Sequence, residues 1–262
     1  MSKYFIIFDD HCAVCDLGAQ VLSKSGLLKK TGFVPLSTAQ SNPVACHIDP
    51  VKSCDEMALV NPQTREVHYG MDAYGILAAE RNPFLGRVFK NDKVKFVLNP
   101  LYLFIASNRR ILAPLNMDDS VCKPTLRKGY RLTLIILLAL FAATVTYIKG
   151  ELFAVSPTFD FLSGFKLLQV VSVGWLVVAL SYREQDKWEY WGHLSMIAGT
   201  AIFFQSIALL AYSFLPHLNW ILGSMAFSDL FMVFMHHDRI RKMGKPQSYT
   251  FKWWLILHLT AA

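Results

Sequence analysis

The chain has 262 residues, of which 53% are hydrophobic and 17% charged, with a mean hydropathy of +0.33 and a formal net charge of +7. These values exclude an ordinary soluble domain over the full length, and the charge of the front part excludes a wholly membrane-embedded chain. Residues 1–128 carry mixed charge, turn signals and all five cysteines, whereas residues 129–262 are long apolar runs separated by short polar loops, so two regions are expected with these bounds.

The first apolar run, Tyr4 to Phe8, is rich in β-branched and aromatic residues and predicts a strand. It lacks a basic leader and is cut short by Asp9 and Asp10, so no secretory signal peptide is expected and the front region should remain cytoplasmic. Cys12-x-x-Cys15 follows directly. Residues i and i+3 share a helix face, so a helix starting near His11 brings both sulfurs within disulfide reach and directs its first N–H groups at Cys12. That placement lowers a thiol pKa and makes an attacking thiolate. With the amphipathic stretch Leu17 to Leu28 behind it, the pair reads as a dithiol redox site.

Two other readings of the pair stand beside this one. Cys46, His47 and Cys54 offer further ligands for a structural zinc ion, although seven residues including Pro50 separate the two cysteines, unlike a short knuckle. Inert core thiols are the third reading.

Further along, Gly32 to Ser37 predicts a second strand, and Thr38 to Asp55 a loop or short helix broken by Pro43 and Pro50. Met57 to Val60 and Glu66 to Tyr69 alternate as a hairpin across Asn61-Pro62-Gln63-Thr64, and Asp72 to Arg81 predicts a helix ending before Pro83. The resulting order, β-α-β-(loop)-β-β-α, is that of a thioredoxin-like α/β domain. A basic, aromatic helix from Val94 to Ile111, interrupted near Pro100, should cover it, with Arg109 and Arg110 as solvated ends.

Leu132 to Ile148, Leu167 to Tyr182, Leu194 to Leu215 and Trp220 to Met235 approach or reach the ~20 residues that cross a bilayer. An all-α transmembrane bundle of about four helices is therefore expected, with Trp253 to Leu259 lying in the interface. Under four crossings Arg127, Lys128, Arg131, Arg183, Lys187, Arg239, Arg241, Lys242 and Lys245 fall on one side, and only Lys149 and Lys166 on the other. The positive-inside rule then places both termini in the cytoplasm. The basic charge is thus accounted for by orientation. The soluble half has no stripe of basic residues interleaved with aromatics, which excludes nucleic acid as a partner. Asp229 falls inside an apolar span, where a carboxylate is usually paired or functional. His193, His236 and His237 are expected as solvated interfacial residues rather than haem ligands.

The front half resembles the DCC family of thiol-disulfide oxidoreductases, named for an Asp-x-x-Cys-x-x-Cys signature that Asp9, Cys12 and Cys15 match in place. Further matches are Tyr69-Gly70-x-x-Ala73, the run Phe104 to Arg110, and Cys122-x-Pro124. The resemblance implies a thioredoxin-like domain that reduces or exchanges disulfides. The family typically has glycine where this chain has Asp10, whose carboxylate either raises the Cys12 pKa or caps the helix behind it. Asp55-Glu56 precede Met57 where a thioredoxin places a proline beside its active site.

The function expected is a membrane-tethered protein thiol-disulfide oxidoreductase of the disulfide-reductase type. Cys12 is its nucleophile and Cys15 its resolver, and Asp9 either relays a proton or ends the strand. Its partners are a disulfide-containing protein or small-thiol substrate, a cellular thiol reductant and the lipid bilayer; no cofactor or metal is assigned. The alternative is a non-catalytic membrane protein with a zinc-stabilised or interaction domain in front. Cys122 is a candidate second exchange partner if its segment folds back on the domain. With no cysteine beyond it, electrons have no route through the bundle by disulfide exchange.

Overall fold

The computed structural model describes residues 3–39, 41–114, 122, 124–152, 184–214 and 218–250, the side chains of 149–152, 184–186, 218–222, 225, 226 and 229 excepted. The chain divides into two compact units, Met1–Tyr130 and Arg131–Ala262.

The front unit is built on a four-stranded sheet ordered β2-β1-β3-β4, from β1 (Phe5–Phe8), β2 (Phe33–Pro35), β3 (Ala58–Val60) and β4 (Val67–Tyr69). β1 and β2 are parallel, with Ile7 opposite Val34, while β3 runs antiparallel to both β1 and β4. This small mixed sheet with its helices fits a thioredoxin-like domain. The parallel pair requires a crossover, and α1 (Ala13–Lys24) supplies it.

Because side chains alternate across a strand, the unbroken apolar runs feed two faces. Ile6 and Leu59 pack with Leu22 of α1 and with Ala73 and Leu77 of α4 (Gly70–Arg81). Ile7, Ala58 and Val60 face the other way, against Val34, Ala39 and Ala45. The central strands are therefore buried on both sides.

The prolines of the 38–55 segment open helices instead of breaking them. Pro43 and Pro50 stand in the first turns of a 3₁₀ turn (Pro43–Ala45) and a short helix, Pro50–Asp55, each started by a capping side chain. Asp49 Oδ1 accepts from the N–H groups of Val51 and Lys52 at 2.9 and 3.0 Å. A missing N–H costs nothing there. With α2 (Leu36–Ala39) ahead of it, Pro50–Asp55 is α3. Pro83 likewise starts α5 (Pro83–Lys90), a helix the sequence reading did not foresee, under an Asn82 cap. α6 (Asp92–Leu112) runs continuously through Pro100.

Gly70 starts α4 at φ +55°, with Glu56 and the Tyr102 ring against its Cα. A Cβ there would collide with the Glu56 carboxylate and lie 3.0 Å from Tyr102 Cε1. Gly70→Ala is expected to cost about 1–3 kcal/mol in urea unfolding, from the left-handed backbone and the displaced carboxylate together. An unchanged midpoint would mean that the turn tolerates a side chain.

In the second unit, α7 (Lys128–Leu152), α8 (Glu184–Phe214) and α9 (Leu218–Lys242) are described, α7 beginning in the last residues of the front unit. Among the described residues two segments are long and apolar enough to cross a membrane, Lys128–Ile148 and Lys187–Phe214, with mean hydropathies of 2.1 and 1.9. They correspond to the first and third expected spans. The expected span Leu167 to Tyr182 and the segment Trp253 to Leu259 lie outside the described residues, as do Lys166 and the Asp229 side chain. The expected span Trp220 to Met235 falls within α9, which is not among the helices apolar enough to cross a membrane, so two of the four expected spans are found among the described helices.

α8 and α9 pack antiparallel through a core of Tyr190, Leu194, Ile197, Ile240 and Met243. Polar pairs run along the same seam. Tyr190 Oη lies 2.9 Å from His236 Nε2, Arg239 Nη1 donates to His193 Nδ1 at 2.7 Å, and Ser228 Oγ donates to the Ala201 carbonyl at 3.2 Å. His193 and His236 are thus buried, contrary to the expectation of solvated interfacial histidines, and His236 spends its second nitrogen on Thr250 at 3.2 Å. Of the three, His237 is the exposed one.

Candidate functional site

β1 delivers the chain to a tight turn at Asp9, where the Cys12 N–H bonds the Asp9 carbonyl at 3.1 Å and the His11 N–H bonds Asp9 Oδ1 at 3.2 Å. α1 then begins at Ala13, two residues later than the sequence predicts, and Cys12 is its N-cap residue. Cys12 makes no side-chain cap hydrogen bond, and of the first-turn N–H groups it is that of Cys15 that acts on its sulfur. Cys15, one turn on, is buried as well; both are free thiols.

The two thiols are strongly unequal. The Cys15 thiol donates to the Cys12 sulfur, which is the largest influence on either group, and the Cys15 N–H and the Arg109 guanidinium add to it. Against the opposing effects of burial and of Asp9, these lower Cys12 to about 6. Cys15, which keeps its proton to make that bond and is itself buried, is pushed far above the ordinary thiol range. One attacking sulfur and one proton-holding sulfur are what a two-step exchange needs.

Arg109 is the residue the sequence reading misplaced. Expected as a solvated helix end, it is 3% exposed. Its Nη2 donates to Asp9 Oδ2 at 3.1 Å and to the Cys54 carbonyl at 2.6 Å, and Nη1 to the Asp55 carbonyl at 3.5 Å. It therefore caps the C-terminal carbonyls of α3, where a cation is favoured, while neutralising a buried carboxylate. Asn108 fastens this end of α6, its Nδ2 donating to the carbonyls of Phe104 and Tyr130 at 2.9 and 3.1 Å.

Asp10 does neither thing expected of it. Its carboxylate accepts from the Ser37 N–H at 3.1 Å and Ser37 Oγ at 2.7 Å, so it caps α2 rather than α1, and Asp9 is the carboxylate that acts on Cys12. These Ser37 bonds keep the Asp10 carboxyl below its ordinary range, with its burial opposing them. His11 is half-buried beside Asp10, Nδ1 3.8 Å from Oδ2.

On the far side of Cys15, the position given to proline in a thioredoxin is held by side chains. The Tyr102 hydroxyl accepts from the Met57 N–H at 3.1 Å, and the Tyr74 hydroxyl donates to Met57 Sδ at 3.2 Å. Gly18 of α1 lies against both Met57 and Tyr74. Burial raises the Tyr74 phenol to about 12, helped by Cys15 nearby, so this hydroxyl stays a neutral donor.

Cys54 and Cys122 are joined by a disulfide with Cα atoms 5.3 Å apart, a pairing absent from the sequence reading apart from the suggestion that Cys122 folds back. Arg109 Nη2 lies 3.7 Å from Cys122 Sγ, and Arg110 Nη2 holds the Cys122 carbonyl. Thr125 N–H to Asp55 Oδ1 at 2.6 Å and Arg127 Nη2 to Glu56 Oε1 at 3.5 Å tie the following residues to the end of α3. The zinc alternative loses its ligand set. Cys54 is bonded to Cys122, Cys46 is exposed with its thiol on the Pro43 carbonyl, and among the described residues no three His, Cys, Asp or Glu side chains gather as a metal site requires.

The model of the DCC1-like thiol-disulfide oxidoreductase family matches residues 6–113, from β1 to the residue after α6. The matched span holds Asp9, Cys12, Cys15, Cys54 and Arg109 and ends before Cys122. Residues 6–113 are thus similar to that family, whose name implies disulfide or thiol substrates. No curated protein and no solved structure matches the chain.

Proposed function

We propose that this chain is a membrane-tethered protein thiol-disulfide oxidoreductase of the disulfide-reductase type, with Cys12 and Cys15 as the exchanging pair. The observation that carries the reading is the Cys12 sulfur at the N-cap of α1, under Arg109 and accepting the Cys15 proton. Cys12 thiolate attacks a sulfur of the substrate disulfide, forming a mixed disulfide and releasing the first substrate thiolate. Cys15 then loses its proton and attacks Cys12, releasing the second thiolate and leaving Cys12–Cys15 oxidised for a cellular thiol to reset. Once the mixed disulfide forms, Cys12 no longer needs the Cys15 proton, which frees Cys15 to resolve.

Asp9 serves as a positioning residue, because its carboxylate is occupied by the Arg109 Nη2 and the His11 N–H and so fixes the cation beside both sulfurs. Residues 1–128 act as the catalytic domain and 129–262 as the tether. Only 22% of the apolar window in Lys128–Ile148 is buried, and Ile136, Leu137 and Leu140 of that helix face outward, as lipid contact requires and a soluble core helix avoids. The basic residues bordering the spans support a cytoplasmic side for the domain and both termini.

The test is a glutathione redox titration of the full chain in detergent, read by alkylation and mass spectrometry so that each cysteine's partner is identified. The expected result is a reversible Cys12–Cys15 disulfide with a midpoint of roughly −200 to −300 mV, near cytosolic poise. Thiols that stay reduced or oxidised across that whole range would remove the proposal.

A further inference from the structure

The reaction above makes no use of the Cys54–Cys122 disulfide, yet that disulfide is part of the same site. A single guanidinium faces both cysteine pairs: Arg109 Nη2 is 3.7 Å from Cys122 Sγ, and its charge acts on the sulfurs of Cys12 and Cys15. Cys12 and Cys122 are sealed from solvent, at 0% and 1% exposure, whereas Cys54 at the end of α3 is half-buried. Cys54 is therefore the more exposed residue of the second pair.

We propose that Cys54 and Cys122 form a second redox couple that exchanges its disulfide with Cys12 and Cys15 inside the domain. The proposal rests on the reading of Cys12 and Cys15 as an exchange pair. Because Arg109 stands at Cys122, that sulfur is the better leaving thiolate, so Cys12 attacks Cys54. The Cys54–Cys122 bond breaks, a Cys12–Cys54 bond forms, and Cys122 departs as thiolate. Cys15 gives up its proton and attacks Cys12, forming Cys12–Cys15 and releasing Cys54. Two electrons pass from the first pair to the second, and the Cys15 proton ends on the released Cys54 while Cys122 takes over the thiolate charge of Cys12; the reverse steps reset the site. No outside oxidant or reductant enters the transfer. In the reducing surroundings of a cytoplasmic domain, a disulfide at this position suits a working couple better than a permanent staple.

The experiment uses the full chain in detergent, reduced with a phosphine, desalted, and given half an equivalent of oxidised glutathione before acid quenching, alkylation and peptide mass analysis. Wild-type protein is expected to distribute the disulfide between the two pairs at a rate independent of protein concentration. Cys12→Ser is expected to slow oxidation of Cys54 and Cys122 at least tenfold. Cys15→Ser should accumulate a Cys12–Cys54 disulfide with Cys122 alkylated. Equal oxidation rates of the second pair in wild type and Cys12→Ser, with Cys12 of Cys15→Ser recovered only as free thiol or glutathione adduct, would overturn the relay. If Cys12–Cys15 cycles with glutathione while Cys54–Cys122 stays apart from it, the relay alone falls. If Cys12 and Cys15 exchange with nothing, the proposed function falls with it.

Discussion

Replacing Arg109 by Met is expected to damage this protein more than any other single change to a side chain that carries no sulfur. In the wild type, alkylation of Cys12 should rise with pH through a midpoint near 6 and stay flat above it. At pH 7 about ten thiolates are then present for each thiol, given that midpoint. An unshifted thiol would still be gaining reactivity near pH 9. Removing the Arg109 charge takes away one of the influences that lower Cys12, so the midpoint moves up and reactivity at pH 7 falls. The hydrogen bond from Cys15 remains, so the shift is partial.

The same substitution leaves the Asp9 carboxylate buried without its cation and the α3 carbonyls without a donor, at a cost of about 3–5 kcal/mol. Asp9→Asn combined with Arg109→Met should recover much of that stability, because the stranded charge is gone, while Cys12 stays less reactive. A double variant that regains stability and reactivity together would show that Arg109 acts on Cys12 only by holding the fold. Denaturant unfolding and a pH series of alkylation rates read the two effects separately.

The second large effect concerns the order of the sulfurs. Cys12→Ser is expected to abolish turnover of a model protein disulfide, because a hydroxyl does not ionise in the range where the thiolate attacks. Cys15→Ser should instead stop after one step and hold the substrate in a covalent complex through Cys12, visible on a non-reducing gel and released by dithiothreitol. The asymmetry follows from position: Cys12 stands at the N-cap, where the Cys15 N–H and the Arg109 charge favour its thiolate, and Cys15 lies one turn later inside the helix. A covalent complex in Cys12→Ser and none in Cys15→Ser would exchange the two roles.

How much of this was legible in the chain depends on the range of the interaction concerned. The strands, the crossover helix and the hairpin follow from apolar runs and turn residues that act locally, and each appears within a few residues of its expected place. The prolines at 43 and 50 misled because proline forbids a helix interior and favours a first turn, and the cap ahead of each decides between the two. α4 does end before Pro83 as expected, and Pro83 also opens a helix of its own. Asn42, Asp49 and Asn82 were the available signals. Arg109 was out of reach by periodicity alone, since nothing near it in sequence announces a carboxylate 100 positions earlier. Its place in the run Phe104 to Arg110, shared with the resembled family, was the hint. The Cys54–Cys122 bond likewise spans 68 positions, and five cysteines leave too many pairings for spacing to select one.

The polar pairs between α8 and α9 bear on a different problem. Apolar contacts between two helices gain little by preferring one alignment over another, because the attraction is non-directional and neighbouring positions along the seam are equally apolar. Tyr190 with His236, His193 with Arg239, and Ser228 with the Ala201 carbonyl fall at matched depths along an antiparallel seam. A slide of one helical turn, about 5.4 Å, would break all three at once. These contacts act as a ratchet pin for the two helices, admitting one register and rejecting its neighbours.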